Sequence, residues 1–286
     1  MQIYRKIPLK IKSIITITLI SFVSFAIGYK GRDFLQRKIY FPLRSSLKYF
    51  DIISPYKKIE CPKNSIAIAI FGQSNSANTV SEKSDIPIPS NLYQYDWKSQ
   101  NCYFFKEPLL GADGLEGNVI TYTGIKMANN YKKPIVIIPF GVGGTSVLEW
   151  AYGSFYNQHQ IVMKQVKESG MSPRIFLWHQ GEADFKLQEE VYYFALRKVV
   201  ESTLKSFPKS SFGIALATRC IHKPSNPVRS AQIRISQDLP RSFISADSDM
   251  ITGLDKRPDN CHFSAKGASE LGNLYYESIT REIKQN

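Results

Sequence analysis

Three short apolar runs, Ser65 to Phe71, Ile135 to Phe140 and Ile175 to Leu177, each stop abruptly at glycine, serine or amide residues. Runs of this length without a polar alternate read as strands buried on both faces, which is the habit of a parallel sheet. Further strands are expected near 212–218 and 242–246, the first run being placed at 65–71 and the third at 174–178. Helical patterns near 118–131, 157–169, 186–206, 226–238 and 264–283 fall between or after them. Strands alternating with helices predict right-handed crossovers and an α/β architecture, a parallel sheet covered by helices on both faces. The segment 76–117 shows no clear periodicity and holds Pro87, Pro89, Pro108, Gly111, Gly114 and Gly117. Loops this long are usually functional or disordered. Lying just past the first strand, it is expected to wall a cleft.

The strand ends carry the chemistry. The first runs into Gly72-Gln73-Ser74-Asn75, and far downstream stands Asp259-Asn260-Cys261-His262. A serine hydroxyl attacks only when a base takes its proton and a third group holds that base in the right tautomer. Ser74, His262 and Asp259 fit those three roles. A serine where a strand breaks into a turn sits at the carboxyl edge of a sheet, where an open α/β sheet assembles its site. The second strand ends in Gly141-Val142-Gly143-Gly144-Thr145-Ser146, and the third in Trp178-His179-Gln180-Gly181-Glu182-Ala183-Asp184.

The ordered set Gly-Gln-Ser-Asn, Gly-Gly-Thr-Ser, His-Gln-Gly-Glu-Ala-Asp and Asp-x-x-His-Phe resembles the SGNH hydrolase superfamily. Within it, the set is similar to carbohydrate esterases related to sialate O-acetylesterases and acetylxylan-esterase-like proteins. The resemblance covers roughly residues 64–280. It implies a three-layer, flavodoxin-like fold, a nucleophile at Ser74, an aspartate and histidine at Asp259 and His262, and no metal or organic cofactor. The implied oxyanion hole uses the N–H groups of Ser74 and Gly144 and the side-chain amide of Gln180, with Gly143 as an alternative to Gly144. The chain departs from the superfamily by writing Gln where the third-motif amide is usually Asn. The implied reaction removes O-acetyl groups from a carbohydrate through an acetyl-Ser74 intermediate. Two other readings stand beside it: a glycan O-acetyltransferase using the same three residues, and an inactive glycan-binding module. Around the site, Gln73, Asn75 and Trp150 are expected at the substrate, with Gln73 and Asn75 also placed to brace the turn. Tyr93, Tyr95, Trp97, Tyr152, Phe155 and Tyr156 are further aromatic candidates for the cleft.

The net charge of +13 at first suggests a nucleic-acid binder, but its location says otherwise. Residues 1–63 hold 13 Lys and Arg against three acidic residues, leaving only +3 for residues 64–286. The body has no basic face to expect and no nucleic-acid motif. Between Lys12 and Lys30 lie 17 uncharged residues, Ser13 to Tyr29, preceded by Arg5, Lys6, Lys10 and Lys12. That length sits at the short end of the roughly 17–25 residues that span a bilayer. The expected organisation is a basic segment at 1–12, a transmembrane signal anchor at 13–29, a juxtamembrane stalk at 30–63 and the hydrolase body at 64–286, outside the cytoplasm. Cleavage near Ser24-Phe25-Ala26 is the alternative, giving a secreted body. Cys61, Cys102, Cys220 and Cys261 suit an oxidising compartment and permit three full pairings. No Cys-x-x-Cys or His-x-x-x-His spacing points to zinc. Glu182, Asp184 and His179 read as a hydrogen-bonded structural group, and His159 and His222 as ordinary surface or loop histidines.

Overall fold

The computed structural model describes residues 55–285. The basic segment, the expected anchor at 13–29 and most of the stalk lie outside the described residues. Among the described residues, no helix is long and apolar enough to cross a membrane. A compact unit begins at Lys57, earlier than the expected boundary at 64. The first strand, β1 (Lys58–Ile59), pairs with a later one, and Cys61 is bonded to Cys102.

Seven further strands follow: β2 (Ile66–Gly72), β3 (Leu92–Asp96), β4 (Asn101–Phe104), β5 (Ile135–Gly141), β6 (Ile175–His179), β7 (Ser211–Leu216) and β8 (Ser242–Asp247). They form one sheet in the order β1-β4-β3-β5-β2-β6-β7-β8. From β3 to β8 the neighbours are parallel, and β4 is antiparallel to both β1 and β3. The helices are α1 (Val119–Asn130), α2 (Val147–Ala151), α3 (Ser154–Glu168), α4 (Glu189–Ser206), α5 (Asn226–Asp238) and α6 (Ala265–Gln285).

Side chains on a strand alternate between faces, and β2 shows what each face meets. Ala67, Ala69 and Phe71 share a core with residues of α3, α4 and α5, whereas Ile68 and Ile70 share one with residues of α1 and α6. The amphipathic stripe of α6 places Leu271, Tyr275 and Ile279 on one side, all fully buried. Burying an aliphatic side chain of that size stabilises by about 1.5–3 kcal/mol, so this stripe alone fixes the helix to its face. The start of α1 is set by Asn118, whose side chain accepts from the Ile120 N–H, and α2 opens on a capping box between Ser146 and Glu149.

Structure also appears where the sequence predicts a loop. Strands β3 and β4 lie inside 76–117, built on Leu-Tyr-Gln-Tyr-Asp and Asn-Cys-Tyr-Phe. The polar residue that hides the pattern is Gln94, fully buried because its amide is consumed. Its oxygen accepts from the Leu110 N–H at 2.8 Å and its nitrogen donates to the Lys106 carbonyl at 3.0 Å. Asp96 then closes the turn into β4 by accepting from the N–H groups of Lys98 and Ser99. Tyr95 and Trp97 are therefore core residues, not cleft walls. Tyr95 is fully buried, and Trp97 donates to the Gly111 carbonyl and meets Phe140 edge-on.

This topology positions the site. Strand β2 is central, with β5 on one side and β6 on the other. The connection out of β2 runs to the β5 side and the one out of β5 crosses back to β6, and a crevice opens outside the carboxyl ends at such a reversal. Gly72, Gly141 and His179 stand side by side at those ends.

Candidate active site

Gly72 has φ +133°, and a side chain there would collide with the carbonyl of His179. Only glycine lets β2 turn this tightly against β6. The next residues, Ser74–Ser76, form a single 3-10 turn held by Ser76 N–H to Gln73 O at 2.9 Å and Ala77 N–H to Ser74 O at 2.8 Å. The Ser74 side chain is thereby set at the sheet edge, where it keeps 9% of its surface.

The loop after β8 comes to it. His262 Nε2 lies 3.0 Å from Ser74 Oγ, and His262 Nδ1 lies 2.7 Å from Asp259 Oδ2. The other Asp259 oxygen accepts from the N–H groups of Cys261 at 2.9 Å and His262 at 2.7 Å. Partial burial pushes the Asp259 carboxyl up. The His262 ring and the two N–H groups outweigh it, holding the carboxyl below its ordinary value, so Asp259 is anionic at neutral pH. With a carboxylate on Nδ1, that nitrogen carries the proton and Nε2 is left to accept from serine. The Cys220–Cys261 disulfide ties this loop to the one after β7.

A buried chain of polar groups joins the two halves. Asn75 Nδ2 donates to Glu182 Oε1 at 2.8 Å and to the Cys261 carbonyl at 3.3 Å, linking the serine turn to the histidine loop. Glu182 is held in turn by His179 Nε2 at 3.2 Å, and His179 Nδ1 by the Tyr275 hydroxyl at 2.7 Å. Burial raises the Glu182 carboxyl, but His179 and Asn75 overcome this and leave it below the ordinary value. Arg257 braces the same loop from beneath, donating to the carbonyls of Ile251, Ser248 and Cys261 while its guanidinium lies over Phe263. Sequence reasoning missed Arg257, which no spacing marks.

Three expected substrate residues are elsewhere. Trp150 is fully buried, donates to the Thr145 hydroxyl at 2.9 Å and packs against Phe71, Phe140 and Trp178, so it is a core residue beneath the loop. Gln73 is buried, its side-chain oxygen accepting from Ala183 N–H at 3.0 Å and Gly181 N–H at 3.3 Å. Asn75 is buried in the chain just described. Both brace the turn through these bonds, while Asn75 Oδ1 lies buried without a partner among the described residues. Tyr152, by contrast, is 60% exposed, with the Lys198 ammonium over its ring.

The oxyanion candidates divide. The Gly143 N–H donates to Asp113 Oδ2 at 3.2 Å, so the choice between the two glycines falls on Gly144. Gly144 has φ +68°, and space is open where a side chain would stand. Among the described residues, the N–H groups of Ser74 and Gly144 have no hydrogen-bond partner. Gln180 differs from expectation. Its amide nitrogen donates to Asp184 Oδ2 at 2.6 Å, Thr145 O at 3.1 Å and Gln73 Oε1 at 3.3 Å, while its oxygen accepts from the Tyr192 hydroxyl at 2.9 Å. An amide carries two N–H bonds, and both are committed to protein. Gln180 here ties the loops after β5 and β6 together. Among the described residues, no group of three or more His, Cys, Asp or Glu could hold a metal ion.

A serine, an imidazole and a carboxylate, hydrogen-bonded in series at the carboxyl edge of a parallel sheet, define a site of the serine-hydrolase class. The sequence belongs to the family of carbohydrate esterases described as sialic acid-specific acetylesterases, matched over residues 68–281. It is thus a carboxylic ester hydrolase of the carbohydrate acetylesterase kind. Among solved structures, a protein of Arabidopsis thaliana aligns with TM-score 0.59 at 20% identity, over 76% of this chain and 98% of its own. NanS aligns with TM-score 0.57 at 14% identity, over 80% and 100%. A carbohydrate acetylesterase of Xanthomonas citri aligns with TM-score 0.56 at 13% identity, over 77% and 56%. At such identities these likenesses speak to the fold. Among curated proteins, no sequence matches the chain.

Proposed function

We propose that this protein removes O-acetyl groups from a surface or extracellular glycan through an acetyl-Ser74 intermediate. The observation that carries the reading is the unbroken series Ser74 Oγ, His262 Nε2, His262 Nδ1, Asp259 Oδ2. His262 takes the serine proton as Ser74 attacks the acetyl carbon, then returns it to the sugar alkoxide as the ester bond breaks. Asp259 fixes the ring and stabilises its charged form. The N–H groups of Ser74 and Gly144 receive the oxyanion, each such donor contributing about 10²-fold or more to the rate. Water repeats the cycle on the acetyl-enzyme, giving acetate. Omitting β1, β4 and β3 at one end of the sheet, the order β5-β2-β6-β7-β8 supports the three-layer, flavodoxin-like arrangement.

Full-length protein in detergent is expected to release acetate from an O-acetylated oligosaccharide without any partner, read by acetate assay and mass spectrometry of the sugar. Acetylated acceptor accumulating while acetate stays at background would replace the esterase reading with the transferase one.

We also propose that residues 13–29 hold the body outside the cytoplasm. The support is the apolar run with its basic flank, together with two disulfides, Cys61–Cys102 and Cys220–Cys261, which persist in oxidising compartments. Protease added to intact spheroplasts is expected to digest the body. Protection would reverse the topology, and a mature chain starting near Ile27 would make the segment a cleaved signal.

A further inference from the structure

A series of contacts runs around the His262 side of the site. The Ala183 N–H reaches Gln73 Oε1 at 3.0 Å, and Phe185 follows two residues on, within about 8 Å of Ala183 along the backbone. The Phe185 ring stacks on His222, with centroids 4.2 Å apart and planes at 24°. Next to His222, the Ile221 N–H donates to the Asn260 carbonyl at 3.1 Å. The Cys220–Cys261 disulfide closes the same join, and Asn75 returns from the Cys261 carbonyl to the serine turn.

Ile221 is the odd member. It is a β-branched residue at φ +64°, a conformation costly for that side chain, and it is 75% exposed, so burial does not compensate. Backbone strain concentrates where a site needs a side chain in a set place. His222 is exposed beside it, and Phe185, partly buried, supports the ring from behind.

The chemistry assigns this surface an occupant. Gly144 follows β5, on one side of β2, whereas Phe185 follows β6, Ile221 and His222 follow β7, and His262 follows β8, all on the other side. The oxyanion belongs on the Gly144 side. The leaving alcohol must lie on the His262 side, because His262 gives it the proton.

Resting on the esterase reading above, we infer that His222 and Ile221, with Phe185 behind them, form the subsite for the sugar that carries the acetyl group, the apolar C–H face of a pyranose ring lying on the exposed face of the imidazole and against the isoleucine. A flat ring with an apolar face suits such a partner, and the two hold the sugar oxygen toward His262.

The test compares two substrates on the full chain: an O-acetylated methyl pyranoside, and ethyl acetate, whose alcohol has no ring. For a folded Ile221→Gly/His222→Ala double variant, kcat/KM for the pyranoside is expected to fall about tenfold further than for ethyl acetate, mainly through KM. His222→Phe, which keeps a flat ring, should recover most of the loss. Equal falls for both substrates, or no fall for either, would overturn the subsite while leaving the esterase reading intact. A wild-type protein that hydrolyses neither ester would overturn that reading and the subsite with it. If the double variant fails to fold, the single variant Phe185→Leu gives the same ratio test, with an unchanged ratio overturning the subsite.

Discussion

Ser74→Ala and His262→Ala are each expected to reduce hydrolysis of a small acetyl ester by about 10⁴-fold or more while the protein stays folded. The expectation follows from the geometry. Ser74 Oγ and His262 Nε2 are 3.0 Å apart, so serine has a base in place. The turn around Ser74 is closed by backbone bonds from Ser76 and Ala77, which alanine keeps. The two side chains act on one proton, so the double variant should be little worse than either single change. Asp259→Asn should retain more activity, because serine and base remain, although the amide holds the imidazole in the wrong tautomer for part of the time. Steady-state kinetics with circular dichroism checks all four variants. Near-normal turnover by folded Ser74→Ala protein would remove Ser74 as the nucleophile.

The residues of that series are readable in the sequence because each follows a strand whose apolar run is unmistakable, or stands in a short motif with its partner. The β2 turn and the Asp259/His262 loop are fixed locally, by backbone angles and by a carboxylate three residues from an imidazole. What the sequence hides are pairings between distant residues. Gln180 in its motif looks like a free donor, and only the packed structure shows Asp184 and Thr145 taking its N–H bonds. Trp150 and Tyr95 carry the aromatic surface that suits a sugar, but an aromatic ring offers the same apolar area to a core, and the fold spends both there. Strand β3 escapes notice because Gln94 breaks its apolar pattern. The partners that allow that amide to be buried, Leu110 and Lys106, lie 16 and 12 residues away. Of the three cysteine pairings open at the start, chain geometry selects Cys61–Cys102 and Cys220–Cys261. The second matters to the site, since it fixes the residue before His262.

The largest expected effect on stability comes from a residue outside the site. His159, read from sequence as a surface or loop histidine, is buried on α3 with its ring stacked on Phe71 and edge-on to Trp150. Thr203 donates its hydroxyl hydrogen to the Val199 carbonyl at 2.8 Å, so it can only accept from His159 Nε2, at 3.2 Å. The other ring nitrogen, Nδ1, is 3.2 Å from the Gln160 amide nitrogen, which donates to it. Both ring nitrogens are thus satisfied in the neutral form. A second proton on Nδ1 would face a donor, inside a core with no counter-charge at hand. Burial accordingly pushes the His159 pKa down to about 4 from its ordinary 6.5. In the unfolded chain the ring takes a proton as pH falls below 6.5, while the folded protein refuses it until about 4. The stability from neutral burial is fully present above pH 6.5, is lost progressively between 6.5 and 4, and changes no further below that. A gap of this size corresponds to about 3 kcal/mol, or somewhat over a hundredfold in the folding equilibrium. Carboxylates also take up protons as the pH falls, so the comparison with a variant isolates the histidine. His159→Gln, which cannot take up a proton there, should lose markedly less stability than the wild type between pH 7 and pH 4.5 in urea unfolding. Parallel losses in the two proteins would mean that the acid sensitivity resides elsewhere.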